Sequence, residues 1–121
     1  MPCGCYLVQL PLHKIGHCCR AGVNLKNANL SRAAFQGADL HGAKLAGADL
    51  GGAWLLGVDL REANLDETNL EGAMLRAAKL QGASLRGARL ARANLQGGRL
   101  EGADMAGADL EGADLERATG L

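Results

Sequence analysis

Residues 36–60 read QGADLHGAKLAGADLGGAWLLGVDL, and this stretch contains the pattern that decides the fold. From Leu25 to Leu115 every fifth residue is large and apolar: 17 are Leu, and Phe35 and Met105 are the only substitutes. Two positions before it stands a small residue, which is Ala in 15 of the 19 units, and two positions after it stands Gly in 12 of the 19. The unit Ala-(Asp/Asn)-Leu-x-Gly therefore repeats without an insertion.

A period of five fits neither regular secondary structure. On an α-helix each step of five residues rotates the Leu by about 140°, which spreads the apolar residues around the whole cylinder. On a flat strand an odd period moves each successive Leu to the opposite face. Within one unit, however, the Ala and the Leu are two residues apart, so a short extended segment points both inward and the Asp or Asn outward. The x-Gly pair must then turn the chain, since Gly supplies the positive φ that tight turns demand. The pattern predicts a β-solenoid.

The composition is consistent with one small domain. Of the 121 residues 22 are Leu, 22 are Ala and 18 are Gly, and 13 basic residues balance 13 acidic ones. No apolar run is long enough to span a membrane. The zero net charge argues against direct nucleic-acid binding, which favours a basic excess.

The units ANLSR (28–32), ADLHG (38–42), ADLGG (48–52) and ADLEG (108–112) resemble the A(D/N)LXX signature of the pentapeptide-repeat proteins. The resemblance covers residues 23–117. It implies an all-β fold, a right-handed quadrilateral β-helix with four units or 20 residues per coil, and therefore about five coils. We expect neither enzymatic activity nor a cofactor. We expect residues 23–121 to form the solenoid.

Four units per coil would stack residues that are 20 apart. Leu25, Leu45, Leu65 and Leu85 would then form one interior column that Met105 continues. The same spacing would place opposite charges on adjacent coils, namely Asp59 with Lys79, Asp66 with Arg86, and Arg89 with Asp109. Such neighbours are worth about 0.2–1 kcal/mol each.

The charges are also banded along the chain. Residues 59–71 carry a net charge of −4 (one base, five acids), and two further bands follow. The first, which we call the basic belt, has no acid and consists of Arg76, Lys79, Arg86, Arg89, Arg92 and Arg99. The second, the acidic end, has no base and consists of Glu101, Asp104, Asp109, Glu111, Asp114 and Glu116. These bands either meet charged partners or form salt bridges between coils on a solvated surface.

Two large apolar residues occupy outward positions that usually hold Asp or Asn. Trp54 and Met74 would share one column with Ala34, and Leu56 flanks them. We call Trp54, Leu56 and Met74 the apolar patch. An exposed apolar patch on a rigid solenoid indicates a contact for a partner or a second copy. The alternative is a surface Trp that packs over its neighbours.

Residues 1–22, MPCGCYLVQLPLHKIGHCCRAG, depart from the repeat. We interpret them as an amino-terminal cap or degenerate first coil, in which Cys serves as a small buried residue. A metal or redox site is the alternative, and its weak candidate ligands are Cys3, Cys5, His13, His17, Cys18 and Cys19. Because no secretory signal is evident, we expect a cytoplasmic protein.

The sequence favours a non-enzymatic scaffold that binds another protein. Ser31, Ser84 and His41 suggest no catalytic constellation. A second copy of the chain, forming a homo-oligomer, is another candidate partner, bound either through an outer face or through an open carboxy-terminal coil, whose unpaired edge can pair with another chain. Two alternatives remain: a metal-binding amino-terminal module, and regulation or protection of a type II topoisomerase by DNA mimicry, which the resemblance implies. Mimicry rests on a strongly acidic rod, whereas residues 23–117 carry 11 bases and 13 acids, a net charge of −2.

Overall fold

A computed structural model describes residues 22–121 of the protein. The predicted amino-terminal cap and the six Cys and His residues proposed as weak metal ligands lie outside the described residues, apart from Gly22. The structural description below therefore concerns the repeat region.

The backbone pairs with itself at a constant interval of 20 residues. Parallel β-bridges join each outward residue to the residue 20 positions later, from Asn24 with Lys44 to Arg99 with Thr119. Within residues 22–121 the β structure consists of these single-residue bridges, and no helix interrupts them. One extended segment and one two-residue turn alternate in every unit. Four five-residue units thus lie between paired positions, and the chain stacks into a solenoid.

The outward residues form four faces, numbered here in chain order. Face 1 carries Asn24, Lys44, Asn64, Ser84 and Asp104. Face 2 carries Asn29, Asp49, Asn69, Arg89 and Asp109. Face 3 carries Ala34, Trp54, Met74, Asn94 and Asp114. Face 4 carries Asp39, Asp59, Lys79, Arg99 and Thr119. In a four-sided turn, faces 2 and 4 lie on opposite sides of the solenoid.

Each corner is a tight turn with a fixed conformation. The N–H of the Ala-type residue donates to the carbonyl of the Leu three residues earlier, as from Ala53 to Leu50 at 3.0 Å. The second corner residue has φ between 57° and 78°, whether it is Gly or one of seven other residues. Positive φ at the third position of a four-residue turn is the type II geometry, in which Gly is free of strain. The predicted role of the x-Gly pair is confirmed.

The interior is a single column of apolar side chains. The Leu residues at every fifth position from Leu25 to Leu100 are at most 1% exposed, and Phe35 replaces one of them at 0%. The Ala positions between them are also buried. Thr68 occupies one Ala position at 0% exposure, and its hydroxyl donates to the Leu65 carbonyl at 2.8 Å. The predicted inward pair of every unit therefore forms the core.

The last turn is less covered than the others. Its interior side chains, including Met105, Leu110 and Leu115, are only partly buried against the core. Within the described residues, the backbone N–H groups of these three residues have no backbone acceptor, whereas the N–H of Leu85 one turn earlier donates to the Asp104 carbonyl at 2.7 Å. This turn presents an apolar interior and unpaired N–H groups together.

Candidate interaction surfaces

The recurrent Asp and Asn residues have a structural task that the sequence reasoning missed. Their side-chain oxygen accepts a hydrogen bond from the backbone N–H two residues later, as Asp49 does from Gly51 at 3.0 Å and Asn94 does from Gln96 at 3.0 Å. This Asx turn binds a corner N–H group that has no backbone partner. The spacing of two residues before each corner was the signal for it. The repeated carboxylates thus stabilise corners and are not a series of acid–base groups.

Trp54 and Met74 interrupt that pattern on face 3. Neither side chain can accept a hydrogen bond from the N–H two residues later, on Leu56 and Arg76, and within residues 22–121 these two N–H groups have no other acceptor. A typical hydrogen bond contributes about 1 kcal/mol. The corners after Trp54 and Met74 therefore lack a stabilising hydrogen bond that the corner after Asn94 retains.

The three residues of the apolar patch lie together. Parallel bridges join Trp54 to Ala34 below it and to Met74 above it. Adjacent turns are about 4.8 Å apart, so these side chains are in reach of one another. Trp54 is 43% exposed, and Leu56 and Met74 are half-buried. Trp54 and Met74 are therefore stacked neighbours on face 3, and Leu56 begins the corner that follows Trp54.

The basic belt divides between two opposite sides of the solenoid. Arg89 lies on face 2, Arg86 and Arg92 lie at its two corners, and all three are paired. Glu71 binds Arg89 and, at 2.9 Å, Arg92. Arg86 lies 3.5 Å from Asp104. This half of the belt is neutralised by acids of the turns below and above.

The other half of the belt has no such partners. Lys79 and Arg99 are stacked on face 4, where a parallel bridge joins them. Arg76 lies at the corner between faces 3 and 4, and all three side chains are exposed. Among the residues that the structure describes, no carboxylate lies within 4.0 Å of their cationic groups, since the ion pairs involve other residues. The sequence alone did not separate these two halves.

Asp59 is directly below Lys79 but binds a different cation. Arg61 donates two hydrogen bonds to its carboxylate, from Nε at 2.9 Å and from Nη2 at 2.7 Å. This bidentate geometry holds the pKa of Asp59 at about 2, chiefly through the side-chain hydrogen bonds from Arg61. The carboxylate nearest to Lys79 in its column is therefore already occupied.

The predicted columns are right, but the predicted charge pairs are not the ion pairs. Asp59 stacks with Lys79 and Arg89 with Asp109, and the backbone N–H of Arg86 donates to Asp66 at 2.9 Å. The ion pairs between turns instead join residues 18 or 21 apart. In these four pairs the side chains meet diagonally between turns rather than straight along a column.

The acidic end surrounds the last turn. Asp104, Asp109 and Asp114 occupy faces 1, 2 and 3, and Glu101, Glu111 and Glu116 are at corners. Hydrogen bonds lower two of their pKa values: one from the Thr119 side chain to Glu101, and one from the Glu116 N–H to Asp114, to which the Gln96 side chain adds. Glu116 lies 4.0 Å from Arg117. The acidic end is mostly unpaired and solvated.

The remaining polar features of the described residues are a surface contact of His41 and a shallow cleft. Between Gly22 and Leu121, no three His, Cys, Asp or Glu side chains could together hold a metal ion. His41 contacts Glu62 at 3.1 Å on the surface. A shallow cleft of about 630 Å³ beside Gly51 has polar walls, where Asp49 already accepts a hydrogen bond from Asn69 at 3.0 Å. Residues 22–121 contain no helix that could cross a membrane.

Comparison with known proteins identifies the repeat. The family model for pentapeptide repeats matches in eight copies, over residues 21–52, 43–82, 55–90 and 83–119. A pentapeptide repeat protein of the Arabidopsis thaliana thylakoid lumen is 27% identical with a TM-score of 0.58, and the match covers 81% of this chain and 61% of that one. A trypsin-treated form of QnrB1, a plasmid-mediated fluoroquinolone resistance protein, is 24% identical with a TM-score of 0.64, over 81% and 60% of the two chains. This chain thus spans about three-fifths of the length of both structures. No curated protein matches it.

Proposed function

Since this chain belongs to the pentapeptide-repeat family, we propose that it is a non-enzymatic scaffold that binds another protein through the outer surface of its solenoid. The binding surface in this proposal centres on the apolar patch of Trp54, Leu56 and Met74. The proposal includes the finer architecture that the family resemblance implies, a right-handed quadrilateral β-helix of about five coils, and a cytoplasmic location.

One observation carries this proposal. Two adjacent turns of face 3 place Trp54 and Met74 at outward positions, where every other described residue except Ala34 is polar or charged. Lys and Arg also replace Asp or Asn at outward positions, but their charges are solvated, whereas two adjacent large apolar side chains on the surface indicate a requirement other than stability. Trp and Met are also residue types enriched at protein interfaces. An apolar contact for a partner is a requirement of that kind.

The test replaces both outliers with the residue that the repeat itself uses. Trp54→Asn/Met74→Asn restores the Asx acceptors and should keep the fold, since Asn94 occupies the same column in the next turn. Wild type and variant are immobilised at equal density and incubated with a lysate of the native host. Bound proteins are quantified by mass spectrometry. We expect a defined subset of proteins to bind wild type and to fall at least about tenfold on the variant.

The matched control makes the opposite change on face 1. Asn64→Met introduces an apolar residue and removes an Asx acceptor, because Asn64 accepts a hydrogen bond from the Asp66 N–H at 3.0 Å. This control should retain the captured subset. An identical set of proteins on wild type and on the face 3 variant would remove the patch as the binding surface.

Self-association is the form of this function in which the partner is a second copy. Light scattering of the purified protein measures it directly. A dimer that becomes a monomer in Trp54→Asn/Met74→Asn would assign the patch to it. A dimer that is unchanged in that variant would indicate that the copies meet at the last turn, where the interior residues are partly exposed.

A further inference from the structure

The apolar patch and the unpaired half of the basic belt are parts of one surface. Leu56 and Arg76 are first residues of the corner between faces 3 and 4, in successive turns, and the Gly57 N–H donates to the Arg76 carbonyl at 2.9 Å. Trp54 and Met74 lie on one side of this corner, and Lys79 and Arg99 lie on the other. We call Trp54, Leu56, Met74, Arg76, Lys79 and Arg99 the corner surface.

The cations of the corner surface form no ion pair within the described chain. Directly below Lys79, the Asp59 carboxylate is occupied by both hydrogen bonds from Arg61. Beside Arg99, Glu101 takes a hydrogen bond from Thr119 and also attracts Arg99, but the two side chains form no ion pair. In the Arg76 column, the next residue is the uncharged Gln96. These three cations therefore differ from Arg86, Arg89 and Arg92, which have acidic partners.

Their arrangement is unfavourable in the isolated molecule. Lys79 and Arg99 are directly stacked, and like charges in that position destabilise a sheet. Turns about 4.8 Å apart allow one external carboxylate to approach two such cations at once. Binding an acidic group would thus relieve a repulsion as well as form ion pairs.

The acidic surroundings limit the size of the anion. Asp39 and Asp59 occupy the lower half of face 4, and Glu116 follows Gln96 on the corner. A long polyanion such as a nucleic acid would meet these carboxylates beyond the three cations. An acidic segment of a protein needs only two or three carboxylates, and it can also carry apolar side chains to cover Trp54.

We propose that the corner surface binds a short acidic segment of a partner protein, whose carboxylates contact Arg76, Lys79 and Arg99 and whose apolar side chains cover Trp54, Leu56 and Met74. This proposal rests on the interaction function proposed above and adds the chemistry of the partner.

The single Trp of the chain makes the test direct, because its emission reports occupation of the corner surface. The probe is a pool of 12-residue peptides with Glu, Leu, Phe and Ser in randomised order, none of which contains Trp or Tyr. Two comparison pools replace all Glu with Gln, or all Leu and Phe with Ser. We expect the acidic apolar pool to shift the Trp54 emission to shorter wavelength, with affinity about tenfold above either comparison pool, as a few partly exposed ion pairs permit.

Two triple variants with equal loss of charge locate the contact. Arg76→Gln/Lys79→Gln/Arg99→Gln should weaken binding of the acidic apolar pool by about tenfold. Arg86→Gln/Arg89→Gln/Arg92→Gln should leave it unchanged. Equal weakening by both variants would overturn the proposal, because net charge alone would then govern binding.

Three further results would also overturn it. If the Gln pool bound as tightly as the acidic apolar pool, the partner would not need to be acidic. The apolar interaction surface, and with it the proposed function, would still stand. A stronger emission shift with a short DNA duplex would assign the surface to nucleic acid. Absence of a shift with every peptide pool would reject the peptide partner, whereas the capture experiment with Trp54→Asn/Met74→Asn judges the interaction function separately.

Discussion

Asp59 lies directly beneath Lys79 on face 4, yet its carboxylate binds Arg61, two residues along the same chain segment. The short loop between residues 59 and 61 lets a planar guanidinium form two hydrogen bonds, which a Lys ammonium one turn above cannot do. A local pair thus replaces the pairing between turns, and Lys79 is left to solvent.

Arg61→Gln should raise the pKa of Asp59 from about 2 towards its ordinary value of 3.8, because the main cause of the depression is removed. The folded pKa lies below the unfolded one, so the stabilisation by this pair is fully present above pH 4 and is lost as pH falls towards 2. This contribution to stability should be small, because Arg61 is half exposed and solvent screens the pair. Carboxyl NMR titration of wild type and variant measures the pKa. An unchanged pKa in Arg61→Gln would contradict the assignment.

Leu65→Ala should lower the free energy of unfolding by about 2–5 kcal/mol, because the side chain is 0% exposed and its removal leaves a cavity. Met105→Ala, two turns later in the same interior column, should cost less than half as much, since Met105 is only partly buried. Urea denaturation of both variants provides the comparison. Equal losses would mean that the last turn is as well covered as the middle. Leu65→Asp should unfold the chain, because it would bury an unpaired charge.

Gly72→Ala and Ala77→Gly should change stability by about 1 kcal/mol in opposite directions. Both residues occupy the second corner position, with φ of 66° and 57°. A Cβ at Gly72 would meet nothing within 4 Å, so only the backbone conformation is strained. Thermal unfolding of the pair tests the corner geometry. A destabilising Ala77→Gly would show that the Ala77 methyl makes a contact that outweighs its strain.

Thr68→Val should leave stability within about 1 kcal/mol of wild type. The Leu65 carbonyl accepts hydrogen bonds from both the Thr68 hydroxyl and the Thr68 N–H, the latter at 3.2 Å. The carbonyl therefore keeps a hydrogen-bond donor when the hydroxyl is removed. Val already occupies the equivalent buried position at Val58. Chemical denaturation is the measurement. A loss above 2 kcal/mol would assign a specific role to the hydroxyl.

The sequence was sufficient to predict which residues are buried and which residues stack in columns, but not which charged residues form ion pairs. Ala53 and Leu55 could be placed inside because the five-residue repeat determines which side each backbone position faces, and the family resemblance supplied the interval that stacks Trp54 on Ala34. That Arg89 and Arg92 both form ion pairs with Glu71 could not be predicted from the sequence. It depends on the conformations of long side chains, because several rotatable bonds separate a guanidinium from its Cα. The division of the basic belt follows from those choices.

The corners and faces of this solenoid can change without any change in the interior, because no position serves both. Asp or Asn at the outward position is a local reinforcement that a turn can lose, as the turns with Trp54 and Met74 do, while the buried Leu and Ala continue unaltered. Outward residues can therefore be substituted one at a time, and each substitution lowers the stability of its own turn only. New recognition properties can evolve on such a protein in small and independent steps, with little risk to folding.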